Sequence, residues 1–321
     1  MHPANAARLR LALAAVLFST GGAAIKTAGF TGWQVASFRS GVAALVLWLF
    51  APGGRRGFTP RAALVGVAYA ATLVLFVLAN KLTTSANTIF LQSTAPLYLL
   101  LLGPWLLRER IRARDLGSMA AVAAGLLLVF VGVERPRATA PDPVRGNLLA
   151  AASGLTWALT VCGLRRLESG GGRPGESGMA AVVAGNALAF AGGLPFALPL
   201  GRHDPADWLV ILYLGVFQIG LAYLLVTAGL RALTAFAGAM ILLIEPALNP
   251  LWAWVVHGEV PGPWALAGGA LILGATALKV WVDGREERLA LAAAAAGSGA
   301  LGAAGVGAGG AGVELRRTGT P

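Results

Sequence analysis

Residues 242–259 read LLIEPALNPLWAWVVHGE. The stretch is apolar enough to lie in a bilayer, yet Glu245 stands about a dozen residues from either end of the apolar segment that holds it, 233–257. A carboxylate at that depth costs roughly 2.5 to 3.5 kcal/mol on insertion scales. It therefore needs a partner or a function. Pro246 follows at once; it removes a backbone donor and disturbs the preceding turn, freeing carbonyl groups for solvent or a ligand.

The rest of the chain is of the same kind. Of its 321 residues 57% are hydrophobic and 12% charged, with a mean hydropathy of +0.72, whereas soluble domains carry about 25% charged residues. The net charge of +11 does not point to nucleic acid, because the arginines lie in short loops between apolar segments, where membrane orientation calls for them. The single cysteine, Cys162, can form neither an intramolecular disulfide nor a thiolate metal site, and it reads as a packing residue.

A helix needs about 20 apolar residues to cross a hydrocarbon core of about 30 Å. Ten runs of that order follow one another: 9–29, 32–51, 62–82, 84–107, 115–133, 146–164, 178–200, 208–230, 233–257 and 263–282. Arg8 and Arg10 ahead of the first run resemble a signal peptide, but its length and the runs that follow make it an uncleaved span. With residues 1–8 in the cytoplasm, 18 of the 25 Lys and Arg fall on the inner side and 6 on the outer, and Arg39 lies within the second run. The excess of inner positive charge predicts a multi-pass protein of the cytoplasmic membrane with both termini inside. Residues 283–321 are mostly Ala and Gly, which add little transfer energy, and are expected to form a disordered cytoplasmic tail.

The chain also repeats itself. Pro96 precedes Glu109 by the interval that separates Pro246 from Glu259, so the two segments align at an offset of 150. Two five-span halves follow, 9–133 and 146–282, joined by a linker at 134–145. Five is odd, so the second half enters the membrane inverted. Inverted repeats are a design rule of secondary transporters, in which the substrate sits near the midplane. No HExxH, GxSxG or phosphate-cradling glycine loop is present, and His2, His203 and His257 are terminal or loop-facing, so neither enzyme, metal nor cofactor is expected.

Several features, in this order and spacing, resemble the EamA-type members of the drug/metabolite transporter superfamily. They are Arg39 in VASFRSGVAAL, the Q-S-T-A-P segment ending at Pro96, L-R-E-R at 107–110, YLGVFQIGLAYLLVTAGLRALTAF at 213–236, and the stretch at 242–259. The resemblance covers residues 9–282. It implies an all-α integral membrane fold, ten helices in two inverted five-helix repeats around a central cavity. It also implies export or exchange of a small metabolite, such as an amino acid, by alternating access. A coupling proton is a further candidate partner. The competing reading is a non-transporting membrane sensor or scaffold of the same fold. One departure is that the seventh span has no arginine answering Arg39.

Two readings of Glu245 stand side by side: a carboxylate that titrates or binds a substrate amine, or a structural ion pair. Arg39 is its candidate charge partner, against a role in locking helices or reaching the interface. Polar side chains within lipid must face protein or water, which makes Gln92, Asn249, Trp157, Tyr69, Asn87, Tyr98, Gln218, Tyr223 and Trp252 candidates for the cavity wall. Lys26 and Lys81 read as interfacial anchors, and Trp33, Trp48, Trp105 and Trp208 as an aromatic belt. Ala121 with Gly125, and Ala270 with Gly274, suit close packing of the fifth and tenth spans, which the family resemblance makes a surface for a homodimer.

Overall fold

The computed structural model describes residues 3–106, 115–132, 135–168, 176–230, 233 and 235–307. Among them every regular element is helical. Nine helical stretches are long and apolar enough to cross a bilayer: Asn5–Thr27, Gly32–Phe50, Pro60–Leu82, Ser85–Leu106, Pro143–Leu167, Glu176–Ala197, Pro205–Leu230, Gly238–His257 and Pro263–Glu286. The expected fifth span is a shorter apolar helix, α8 (Asp115–Val131). The L-R-E-R segment with Glu109 lies outside the described residues.

Exposure runs opposite to that of a soluble protein. Leu64 (72% exposed), Val131 (73%) and Trp105 (86%) point outward, while Asn80, Asn147 and Asn249 are fully enclosed. That pattern suits a hydrocarbon solvent, in which polar side chains must find protein. Helix starts are set locally. Thr31 and Gln34 form a capping box at the head of α3 (Gly32–Phe50). Thr59 caps α5 (Pro60–Leu82), whose first residue, Pro60, lacks the donor that would be orphaned there.

Several spans are interrupted, which the sequence reading did not anticipate. The first divides at Thr20 into α1 (Pro3–Ser19) and α2 (Gly21–Thr27), and the fourth at Ser93 and Thr94 into α6 (Ser85–Gln92) and α7 (Ala95–Leu106). The ninth divides at Leu243 into α13 (Ala235–Leu242) and α14 (Ile244–His257). The eighth, α11 (Pro205–Tyr213) and α12 (Ala222–Leu230), is bridged by a π-helical segment at Leu214–Leu221. The breaks at Ser93 and Leu243 stand 150 residues apart, the offset of the repeat.

Helix neighbours respect the same symmetry. The sixth span, α9 (Pro143–Glu168), packs on α5 of the third, and α1 of the first packs on α12 of the eighth. The seventh span, α10 (Glu176–Ala197), lies between α3 and α5, as α3 lies between α10 and the π segment. Exchanging the two halves maps the α9–α5 pair onto α1–α12 and the α10–α5 pair onto that of α3 with the π segment, while α3–α10 maps onto itself. α8 packs on α15 (Pro263–Gly307), a pair that maps onto itself.

The tail departs from expectation. α15 continues without a break to Gly307, so residues 283–307 are helical rather than disordered; residues 308–321 lie outside the described residues. The physical reason is cooperativity. Extending a nucleated helix is far easier than starting one, and GREERLALAAAAA is rich in strong helix formers.

Candidate functional site

The interrupted spans converge. At the break in the first span, Thr20 Oγ1 and Tyr213 OH share a hydrogen bond of 2.8 Å. Gln218, in the π segment, donates through Nε2 to Phe18 O at 3.4 Å. Its Nε2 lies 2.7 Å from where a Cβ on Gly21 would stand, so glycine is what admits it. A π segment shifts the register of the turns it joins, and such bulges concentrate at functional sites.

Arg39, 2% exposed, reaches the same junction from α3. Its NH1 donates to Gln218 Oε1 at 3.4 Å and its NH2 to Leu73 O at 3.2 Å, while Nε has no partner. The expectation that Arg39 pairs with Glu245 is thus corrected: the guanidinium is held by an amide and a carbonyl. Tyr69 and Tyr223 lie within electrostatic reach of both Arg39 and Glu245.

Aromatic rings line this region. Tyr223 meets Phe18 edge-on at 5.3 Å and Tyr69 at 5.8 Å, and Trp157 stands 6.3 Å from Tyr69 between ring centroids. The Tyr69 hydroxyl is buried without completing a hydrogen bond, near Tyr223 and Asn186. The Asn186 carbonyl oxygen is also unpaired. Glu245 itself has no hydrogen bond or ion pair among the described residues, and it lies deep in the protein while keeping some accessible surface.

Glu245, Asn249 and Trp252 recur at the spacing of one helix face, and that face of α14 meets α1 and α2. Trp252 Nε1 donates to Ser19 Oγ at 2.9 Å. Asn249 is fully buried with neither end of its amide satisfied. Gln92 donates to Ser153 Oγ at 2.7 Å, one turn before Trp157 on α9, and so joins the same wall.

Two expected residues do not join it. Asn87 lies at the start of α6, where its amide donates to Thr83 Oγ1 and Asn147 Oδ1. Tyr98, on α7, makes no polar contact with the group. Phe18, Ser153 and Asn186 were missed. Asn186 was open to the rule that found the others, a polar side chain midway along an apolar run; Phe18 gives no sequence signal.

Lys26 is a second correction. It is no interfacial anchor: its Nζ lies 2.9 Å from Glu259 Oε1, with side chains 5% and 2% exposed. The ammonium also donates to Thr83 O at 2.8 Å and to Thr139 O. Lys81 Nζ donates to Ala28 O at 2.7 Å.

No curated protein matches the chain. A crystal structure, described only as that of a protein, is 21% identical and is matched over 88% of this chain and 99% of its own, with a TM-score of 0.60; that likeness shows the fold. The model of the EamA-like transporter family matches twice, over residues 7–131 and 144–281, one match for each five-span half. A multi-pass membrane protein whose two halves each match that model belongs to the EamA-like transporter family.

Proposed function

We propose that this protein is a secondary active transporter of the cytoplasmic membrane, both termini inside, which exports or exchanges a small metabolite such as an amino acid by alternating access. The observation that carries this reading is Glu245: a carboxylate deep among the spans, with no hydrogen bond or ion pair among the described residues, in the electrostatic neighbourhood of Tyr69 and Tyr223 where the interrupted helices of the two halves meet. A buried charge left uncompensated is costly, and a substrate amine or a proton supplies the compensation. Arg39, with one guanidinium nitrogen unpaired, offers the opposite charge to a substrate carboxylate across the same phenols. Trp157 and Phe18 supply apolar walls, in keeping with sites that orient a ligand by a few polar groups among aromatic ones.

The test is flux through reconstituted vesicles against pH, normalised to protein in the membrane. Glu245→Gln is expected to insert normally and lose coupled transport and its pH dependence, and Glu245→Asp to keep part of both. A Glu245→Gln variant that transports with an unchanged pH profile would falsify the assignment and leave the carboxylate a structural role.

A further inference from the structure

We propose that Lys26 and Glu259 form the latch that closes the transport path on the face opposite the chain termini, and that Ser85 and Asn249 line the path immediately beneath it. The first span begins at Asn5 and Lys26 lies at its far end, so the pair belongs to the face away from the N-terminus. Lys26 is in the first half of the chain and Glu259 in the second. Their contact therefore ties one repeat to the other across the seam that alternating access must open.

The latch is closed in this structure. Lys26 Nζ donates to Thr83 O and Thr139 O and stands 2.9 Å from Glu259 Oε1, an ion pair in which that oxygen completes no hydrogen bond. The other oxygen of Glu259 accepts from Ser85 N at 2.9 Å, satisfying a donor at the first turn of α6 that the helix leaves orphaned. Gly258 sets the approach: at φ 64° it ends α14 in a left-handed turn, its N–H on Trp254 O and that of Glu259 on Ala253 O. That reversal turns the carboxylate back toward α2. His257 Nε2 on Ala23 O at 2.9 Å and Gly29 N on Asp207 Oδ1 at 2.7 Å bind the halves on either side.

Beneath the pair the packing is tight and polar at once. A Cβ on Gly22 would stand 2.7 Å from Asn249 Oδ1 and 2.9 Å from Ser85 Oγ, so nothing larger than hydrogen fits between the halves. Yet Ser85 Oγ and both amide atoms of Asn249 are buried with no partner. Leaving such groups unsatisfied opposes closure. They gain water or a ligand when the seam parts, and the ion pair holds it shut against them. Polar groups that are orphaned in one state are what a path lining looks like when the path is closed.

This rests on the alternating-access reading, and the experiment separates the two because it reads conformation and not flux. In a Cys162→Ser background, Asn249→Cys is labelled with a membrane-impermeant thiol reagent in vesicles of either orientation. With the latch intact, labelling from the face opposite the termini is slow. Glu259→Gln and Lys26→Met are each expected to speed it at least about tenfold, since truncating one member of a buried pair leaves the other unpaired. Glu259→Asp should keep it slow, and the exchange Lys26→Glu with Glu259→Lys should recover part of the protection. Unfolding would raise labelling from both faces; release of the latch raises it from one. Labelling unchanged in both Glu259→Gln and Lys26→Met, or raised equally from both faces, overturns the proposal. Faster labelling from one face in a protein that shows no flux would keep the latch and sink the transport reading.

Discussion

Two glycines six residues apart on α15, Gly268 and Gly274, should respond to alanine with opposite signs. At Gly268 an added Cβ would stand 2.5 Å from Gly125 O on α8, 2.8 Å from Val129 Cγ2 and 3.2 Å from Val129 N. Carbon contacts relax at about 3.5 Å or more, so the two helices must part by roughly 1 Å. The obstacle is backbone, which has no rotamer to yield. Overpacking of this kind costs about 1 to 3 kcal/mol, and the helix propensity gained from glycine to alanine returns at most about 1 kcal/mol. Gly268→Ala is therefore expected to destabilise by about 1 to 2 kcal/mol. At Gly274 nothing lies within 4 Å of the added Cβ, so the propensity gain stands alone and stabilises by up to about 1 kcal/mol. Thermal unfolding of the purified protein in detergent, at one scan rate, ranks the two against wild type. Both midpoints moving the same way would refute the packing argument. A fall at Gly274 in particular would mean that its face is covered by a second copy of the chain.

Reporter fusions after Arg56 are expected to register the cytoplasm and those after Arg137 and Arg202 the outside; reversal of any two removes the orientation read from the Lys and Arg excess. Gly258→Ala, at φ 64°, should lower the unfolding midpoint by the equivalent of about 1 kcal/mol, the penalty for a Cβ in the left-handed region; an unchanged midpoint would mean that the turn relaxes without strain. Truncation after Arg288 should leave membrane abundance and flux near normal, because the apolar part of α15 ends at Glu286; loss of insertion would make the helical extension part of the bundle.

The spans were legible in the sequence because transfer energy sums along a run, and a run of twenty apolar residues has few other readings. The repeat was legible for a similar reason, as a fixed offset between Pro96 and Pro246 survives wherever the chain goes. The breaks were not. Pro246 hinted at one, but the π segment at Leu214–Leu221 and the division at Thr20 arise from what packs against them, such as Gln218 seated on Gly21. The charges were misread for a related reason. Depth along one helix made Lys26 look like an anchor at a membrane surface, because a linear reading cannot see Thr139 and Glu259 fold over it. Arg39 was the candidate partner of Glu245 because it is the cation that lies well within a span. In three dimensions a carbonyl and an amide hold it, and the two charges share neighbours without touching.

The symmetry of the scaffold and the asymmetry of its side chains together say how such a protein chooses a resting state. Exchange of the halves maps the helix contacts onto one another, so the bundle by itself gives neither face a strong preference for being closed. The decision falls to the side chains in which the halves differ. At the offset of 150, Ala95 stands where Glu245 does, so the carboxylate belongs to one half only and the site has a polarity that the scaffold lacks. Two conformations that interconvert in use must differ by no more than a few kcal/mol. Parting the seam hydrates both charges of the pair, so opening costs much less than the roughly 3 to 5 kcal/mol lost when one partner alone is removed. The unpaired groups of Ser85 and Asn249 oppose the pair at about 1 to 3 kcal/mol each. A latch of this strength over a lining of this cost leaves a difference small enough for a bound substrate to tip.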